Sequence, residues 1–358
     1  MSVKETIEKM LLGLSEQLDN QGHKDEIQKV INELNGVSLV PVHVPGPEPK
    51  PEPTPVPVTV PVHAVSDGSE NFLDSAHLYV NPNSVVAKFV AANPGDTNVS
   101  MLNKIAVEPT AIWLTGGTQD EVYKQVQDIL KAAGSALVTF IVYNIPHRDN
   151  GGASAGGAAD QAAYESWIGA IDAAVKDLGN PKVVFIMEPD ALGFASQKAD
   201  YAQYATIKIA IDILTQNPNR SVYLDIPMWN PTPDSMASAI TFLKTQDGMK
   251  NVRGWALNTS GYNNDEACQR FGESLVGIVG CHYIVDTSRN ANGGVPGQWE
   301  NVPGQELGAK PLSQPATATF DGNIWAKPPG ESDGNNSGHP NAGEFDYAYA
   351  VELAKNSK

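Results

Sequence analysis

Apolar positions fall into three regimes along the 358 residues. Over residues 3–35 they recur at helical spacing: Ile7, Met10, Leu11, Leu14 and Leu18, then Ile27, Val30, Ile31 and Leu34, with Gly22 between the sets and Gly36 after the second. This predicts a small helical hairpin over 1–36. Two short helices cannot bury such stripes alone, so the hairpin either docks on the rest of the chain, self-associates or binds a partner protein. In the second regime, residues 41–62 read PVHVPGPEPKPEPTPVPVTVPV. Proline fixes φ and removes a backbone donor, so 37–67 is expected to be an extended linker, at roughly 3.1 Å per residue able to span about 60 Å.

The third regime, 68–358, alternates short apolar runs with longer amphipathic stretches. The runs are 111–114 (AIWL), 136–143 (ALVTFIVY), 183–187 (VVFIM), 222–224 (VYL), 252–257 (VRGWAL), 282–285 (HYIV) and 323–326 (NIWA). Helical stretches between them include 119–133, 160–178 and 199–216. Uninterrupted apolar runs separated by helices describe parallel strands buried on both faces. Seven such units predict an α/β fold, a distorted and incomplete parallel (β/α) barrel, rather than an open nucleotide-binding sheet. No GxGxxG opens a helix after the first run, which argues against a dinucleotide.

Composition narrows the chemistry. A formal charge of −17 is the wrong sign for nucleic acid and is compatible with a neutral polymer such as a sugar chain. No run of 18 apolar residues appears, so no membrane span is expected, and no secretory leader opens the chain. Seven histidines form neither HxH nor HExxH, so no metal or other cofactor is implied. Two cysteines, Cys268 and Cys281, allow one disulfide or two thiols.

Acids cluster where the runs end. Residues 183–187 lead into Glu188-Pro189-Asp190, and 136–143 into NIPHRD, ending at Asp149. Residues 222–224 meet Asp225, 282–285 meet Asp286, and 323–326 lead through Lys327 to Glu331 and Asp333. In a parallel barrel all carboxyl strand ends share one rim, which carries the chemistry. One such acid is usually a cap or turn residue; five together predict a cleft of crowded carboxylates in which at least one keeps its proton. Glycosidic cleavage needs a protonated acid for the leaving oxygen and a carboxylate to help water attack. Trp113, Trp229, Trp255, Trp299 and Trp325 sit in or just after the runs, and a flat indole suits the C–H face of a pyranose.

The motifs YVNPNS, AIWL, VYNIPHRD, IMEPDAL, VYLD, ALNTSGY, DTSRNANG and WAKPPGESDG resemble, in order and spacing, those of glycoside hydrolase family 6 over residues 72–350. The resemblance implies an inverting, extracellular β-1,4-glucanase acting on cellulose or a related β-glucan. It implies Asp190 as general acid, Asp149 as the charge that keeps Asp190 protonated, and Asp333 as base. Tyr143 would crowd the scissile sugar and Ser154 would position the attacking water. Lys327 and Glu331 would bind hydroxyls, Trp113 and Trp299 would stack on sugar rings, Asp225 would support the acid, and Asp286 and Arg289 would shape the cleft.

Some positions depart from the family pattern. Asn150, Glu300 and Asn335 stand where the family usually has cysteines, so its two usual disulfides are expected to be absent. Its usual Asp-Ala-Gly-His segment reads Asp225-Ile226-Pro227-Met228. Only the short stretch NNSGHPNAGEF follows GESDG, which predicts an open cleft and internal cutting. A cellobiohydrolase of the same family is the alternative. A Schiff-base lyase through Lys327 and a non-catalytic glucan-binding protein are more distant ones.

Overall fold

The computed structural model of the protein describes residues 70–198, 201–229, 232, 236, 240 and 252–357. The expected hairpin over 1–36 and linker over 37–67 lie outside these residues. Seven strands, β1 (Ile112–Leu114), β2 (Val138–Val142), β3 (Val183–Met187), β4 (Arg220–Ile226), β5 (Gly254–Leu257), β6 (His282–Asp286) and β7 (Phe320–Ile324), pair in sequence order. Every pairing is parallel. The helices among the described residues are α1 (Val85–Ala92), α2 (Val99–Ala106), α3 (Gln119–Ala133), α4 (Gln161–Lys176), α5 (Ala191–Lys198), α6 (Tyr201–Leu214), α7 (Asp265–Val279) and α8 (Tyr347–Asn356).

Alternation along the strands explains the unbroken apolar runs. Phe140, Val142, Phe185, Met187, Val222, Leu224, Trp255, Leu257 and Val285 join the helices in one core. Their strand neighbours Ile141, Val184, Ile186, Tyr223, Ala256, Ile284 and Ile324 fill the barrel interior, with Phe72 and Leu73 packed among them. Each side chain buried this way contributes roughly 1.5–3 kcal/mol, so a strand clad on both faces tolerates few polar positions.

Strand β7 is the exception: it begins three residues before the apolar run at 323–326 and overlaps only its first two residues. Its sequence FDGNI is polar because its inward groups are paired: Asp321 accepts from Tyr223 Oη at 2.7 Å and from Arg253 Nη2 at 2.6 Å. Asn323 Nδ2 donates to the Lys310 carbonyl at 2.7 Å. Trp325 and Ala326 lie just past its end.

The seven strands form a curled, incomplete barrel. Edge strands β1 and β7 share no ladder among the described residues; Ala111 N donates to the Trp325 carbonyl at 2.9 Å across the seam, and Trp113 Nε1 to the Ala326 carbonyl at 2.9 Å. Helix α3 follows β1 through a capping box, with Thr118 and Glu121 each binding the other's backbone N–H, and Asp160 caps α4 through Ala163 N.

Candidate active site

The carboxyl ends of β2, β3 and β4 bring Asp149, Asp190 and Asp225 together. Asp190 N donates to Asp225 Oδ2 at 2.9 Å, and Asp190 Oδ1 accepts from Trp229 Nε1 at 2.6 Å. Burial pushes the Asp190 carboxyl up to about 6; the indole bond pulls against this and the Asp149 charge adds to it. Burial and the charge of Asp190 hold Asp225 well above the usual carboxylate range. Tyr143 closes this side, its ring edge-on to Trp113 at 5.3 Å, with the Arg148 guanidinium 4.8 Å from its centre. Burial and then the charges of Asp149 and Asp190 raise its phenol.

Asp149 is held by its loop. Its Oδ2 accepts from Ser154 N at 2.6 Å, while Arg148 donates to the Ser154, Tyr143 and Thr115 carbonyls. The loop turns back at Gly157, where φ is +98° and a Cβ would stand 1.9 Å from the Ile145 carbonyl oxygen. Positive φ also occurs at His147, Asp149, Asn150, Glu188 and Asp190, a concentration of strain on the acid-bearing turns.

Glu188, two residues before the acid, points elsewhere. Its buried carboxyl accepts from Asn144 N, from Ile145 N at 3.1 Å and from Tyr164 Oη at 2.7 Å. It thus ties the end of β3 to the end of β2. Burial raises it to about 7, against the pull of these hydrogen bonds.

A second group lies beyond β6 and β7. Asp333 Oδ2 accepts from Arg289 Nη1 at 2.7 Å, Asn301 N at 2.9 Å and Tyr262 Oη at 3.1 Å, and Lys327 Nζ stands 3.3 Å from Oδ1. Burial works to raise this carboxyl, but Arg289 and Lys327 outweigh it and hold it down at about 2. Glu331 is instead raised to about 7, by burial against the attraction of Lys327. Lys327 Nζ also lies 5.9 Å from the centre of the Trp113 ring.

Asp286 does not face the cleft as a free acid. Its two oxygens accept from Ser260 N, Lys327 N, Ser288 N and Ala326 N, so it is a strut joining three segments. Of the five acid-bearing strand ends, the one at β6 therefore supplies a clamp for backbone amides rather than a free carboxylate, although its charge still reaches Asp225. The tryptophans divide as well. Trp255 and Trp325 are buried core residues that donate to the Gly280 and Ala309 carbonyls, whereas Trp299 is 59% exposed and Trp229 43%.

Cys268 and Cys281 form no disulfide with each other; Cys268 is buried and Cys281 half-buried. Glu300 accepts from Asn336 N at 3.0 Å and from Asn336 Nδ2, so a polar tie links the 300 loop to the segment after GESDG. No group of three or more metal-ligating side chains occurs among the described residues.

A family model for glycosyl hydrolases family 6 matches residues 73–357. Endoglucanase A of Thermobispora bispora is 33% identical over 282 residues, covering 75% of this chain and 60% of the relative. Endoglucanase A of Cellulomonas fimi is 34% identical over 291 residues, covering 78% and 61%. The chain thus spans about three fifths of the length of these relatives. The endoglucanase Cel6 of Mycobacterium tuberculosis, solved with a thio-linked cellobioside, is 32% identical with a TM-score of 0.71, covering 80% of this chain and 99% of that one.

Proposed function

The chain belongs to glycosyl hydrolases family 6, and from that premise we propose that it hydrolyses internal β-1,4-glucosidic bonds of cellulose or a related β-glucan with inversion. The observation that carries this reading is the half-buried Asp190 carboxyl, raised to about 6 beside Asp149 at the mouth of the barrel. An acid that titrates there keeps a proton to deliver at mildly acidic pH, and becomes an adequate leaving-group catalyst.

In this mechanism Asp190 protonates the leaving oxygen, and Asp149 favours the protonated form by repulsion. Tyr143 crowds the scissile ring against Trp113, Lys327 and Glu331 hold hydroxyls, and Trp299 offers an exposed stacking face. Ser154 positions the attacking water. Asp333, ion-paired to Arg289 and Lys327, is a weak proton acceptor in itself; its role as base is best read as the end of a water relay, with its charge stabilising the oxocarbenium-like transition state. Asp225 supports the acid through its backbone.

Internal cutting is supported by the endoglucanase names of the relatives and by the short segment after GESDG. A polymeric substrate places the action outside the cell, with 68–358 as the catalytic body, 37–67 as spacer and 1–36 as an interaction module. Asp190→Ala should abolish hydrolysis of cellulose and mixed-linkage glucan while retaining binding; full activity in the variant would refute the mechanism. Viscosity of a soluble cellulose derivative should fall well ahead of reducing-end release, whereas product that is cellobiose from the outset would favour an exo-acting enzyme.

A further inference from the structure

Trp229 sits four residues beyond Asp225, just after β4, and its exposed indole is engaged by the acid rather than left to the cleft. Its ring packs 5.4 Å from that of Phe194, on the helix that begins directly after Asp190. A Cβ on Gly193 would stand 3.0 Å from the indole Cζ2 and 2.4 Å from Pro227 Cγ, so the bare glycine lets the turn after β4 close onto this helix. The end of β3 therefore supplies the acid and the end of β4 supplies its donor.

The groups facing Asp190 are the Asp149 and Asp225 carboxyls, the Tyr143 phenol and this indole. Among the described residues the indole alone gives its carboxyl a hydrogen bond; Oδ2 receives none. The two carboxyl oxygens are thereby made inequivalent.

We propose that Trp229 is a positioning residue for the acid: its N–H fixes Oδ1, so that Oδ2 carries the proton to the leaving glycosidic oxygen. This rests on the glycosidase reading above. In the step, the Oδ2–H bond breaks as the proton passes to the leaving oxygen. That oxygen keeps the electron pair of its bond to the anomeric carbon, and water adds to this carbon and releases a proton to solvent. The charge left on Asp190 spreads to Oδ1, where the N–H bond tightens as the charge develops. A donor that prefers the charged form also offsets burial and the Asp149 charge, keeping the acid from becoming too weak to give up its proton.

Trp229→Phe keeps an aromatic ring against Phe194 and removes only the donor. In the full chain, two readouts test it: the pH dependence of kcat and kcat/KM on a soluble β-glucan, and a 13C NMR titration of the Asp190 carboxyl, identified by its loss in Asp190→Asn. The alkaline limb and the NMR midpoint should both rise, by about one pH unit, with kcat falling roughly tenfold. A midpoint that stays or falls overturns the proposal, whatever the activity. If the wild-type chain cleaves no β-glucan, the glycosidase reading fails, while the titration still decides whether Trp229 tunes Asp190.

Discussion

Arg289 Nη1 meets Asp333 Oδ2 at 2.7 Å, and both side chains are almost wholly withdrawn from water. A buried pair of this kind is costly to break from one side, because the remaining charge has no partner. Arg289→Ala should destabilise the fold by about 3–5 kcal/mol, seen as a lowered Tm. Arg289→Lys should cost less and raise the protonation point of Asp333 above about 2, moving the acidic limb of the activity profile upward. An unmoved limb in a folded variant would show that Asp333 ionisation does not limit the reaction.

Asp149 acts on Asp190 through its charge. Activity should decline as pH rises through about 6, where Asp190 loses its proton. Asp149→Asn removes the repulsion, lowers the affinity of Asp190 for that proton, and should shift the alkaline limb down. The comparison of kcat/KM profiles for the two proteins checks the sign, and an upward shift would contradict it.

Glu188 makes a stability prediction with the opposite sense to an ordinary surface carboxylate. Its folded value near 7 lies above its ordinary value of 4.5, so the folded state binds the proton more tightly. The stabilisation is complete below about 4.5 and is lost as pH rises through about 7. Glu188→Gln cannot titrate, so its unfolding free energy should fall less with pH across this window. Parallel pH dependences in urea melts of the two proteins would rule out Glu188 as a contributor.

With no disulfide joining Cys268 to Cys281, a reductant should leave the Tm unchanged. The loop contact made by Glu300 should matter instead: Glu300→Ala removes an acceptor of the Asn336 N–H and should cost about 1 kcal/mol. Thermal melts with and without dithiothreitol separate the two; a large loss of Tm on reduction would point to a disulfide after all.

Much of the barrel was legible because its strands are clad on both faces. Runs such as 138–142 and 183–187 carry that demand in every residue. Strand β7 was misplaced because Asp321 and Asn323 satisfy each polar group through distant partners, which period and hydropathy do not register. The same blindness affected the site. The acids were visible at strand ends, but whether a carboxyl faces the cleft, as Asp190 does, or clamps four amides, as Asp286 does, depends on turns with positive φ. Among the tryptophans, only packing distinguishes buried Trp255 and Trp325 from exposed Trp229 and Trp299. Glu188 has no signal beyond its place at the strand end, two residues before the acid.

The seam between β1 and β7 is bridged by the Ala111 amide and the Trp113 indole in place of a ladder. Trp113 stands on one lip and Lys327 follows the other, so a glucan held by both would act as a clasp across the gap. Occupied, the barrel becomes a closed hoop: exchange of the Ala111 amide should slow and the Tm should rise with oligosaccharide concentration. On the proposed reading, the groove for glucan runs along the line where the ring has no ladder, so a bound glucan would reinforce the fold where its strands are least joined.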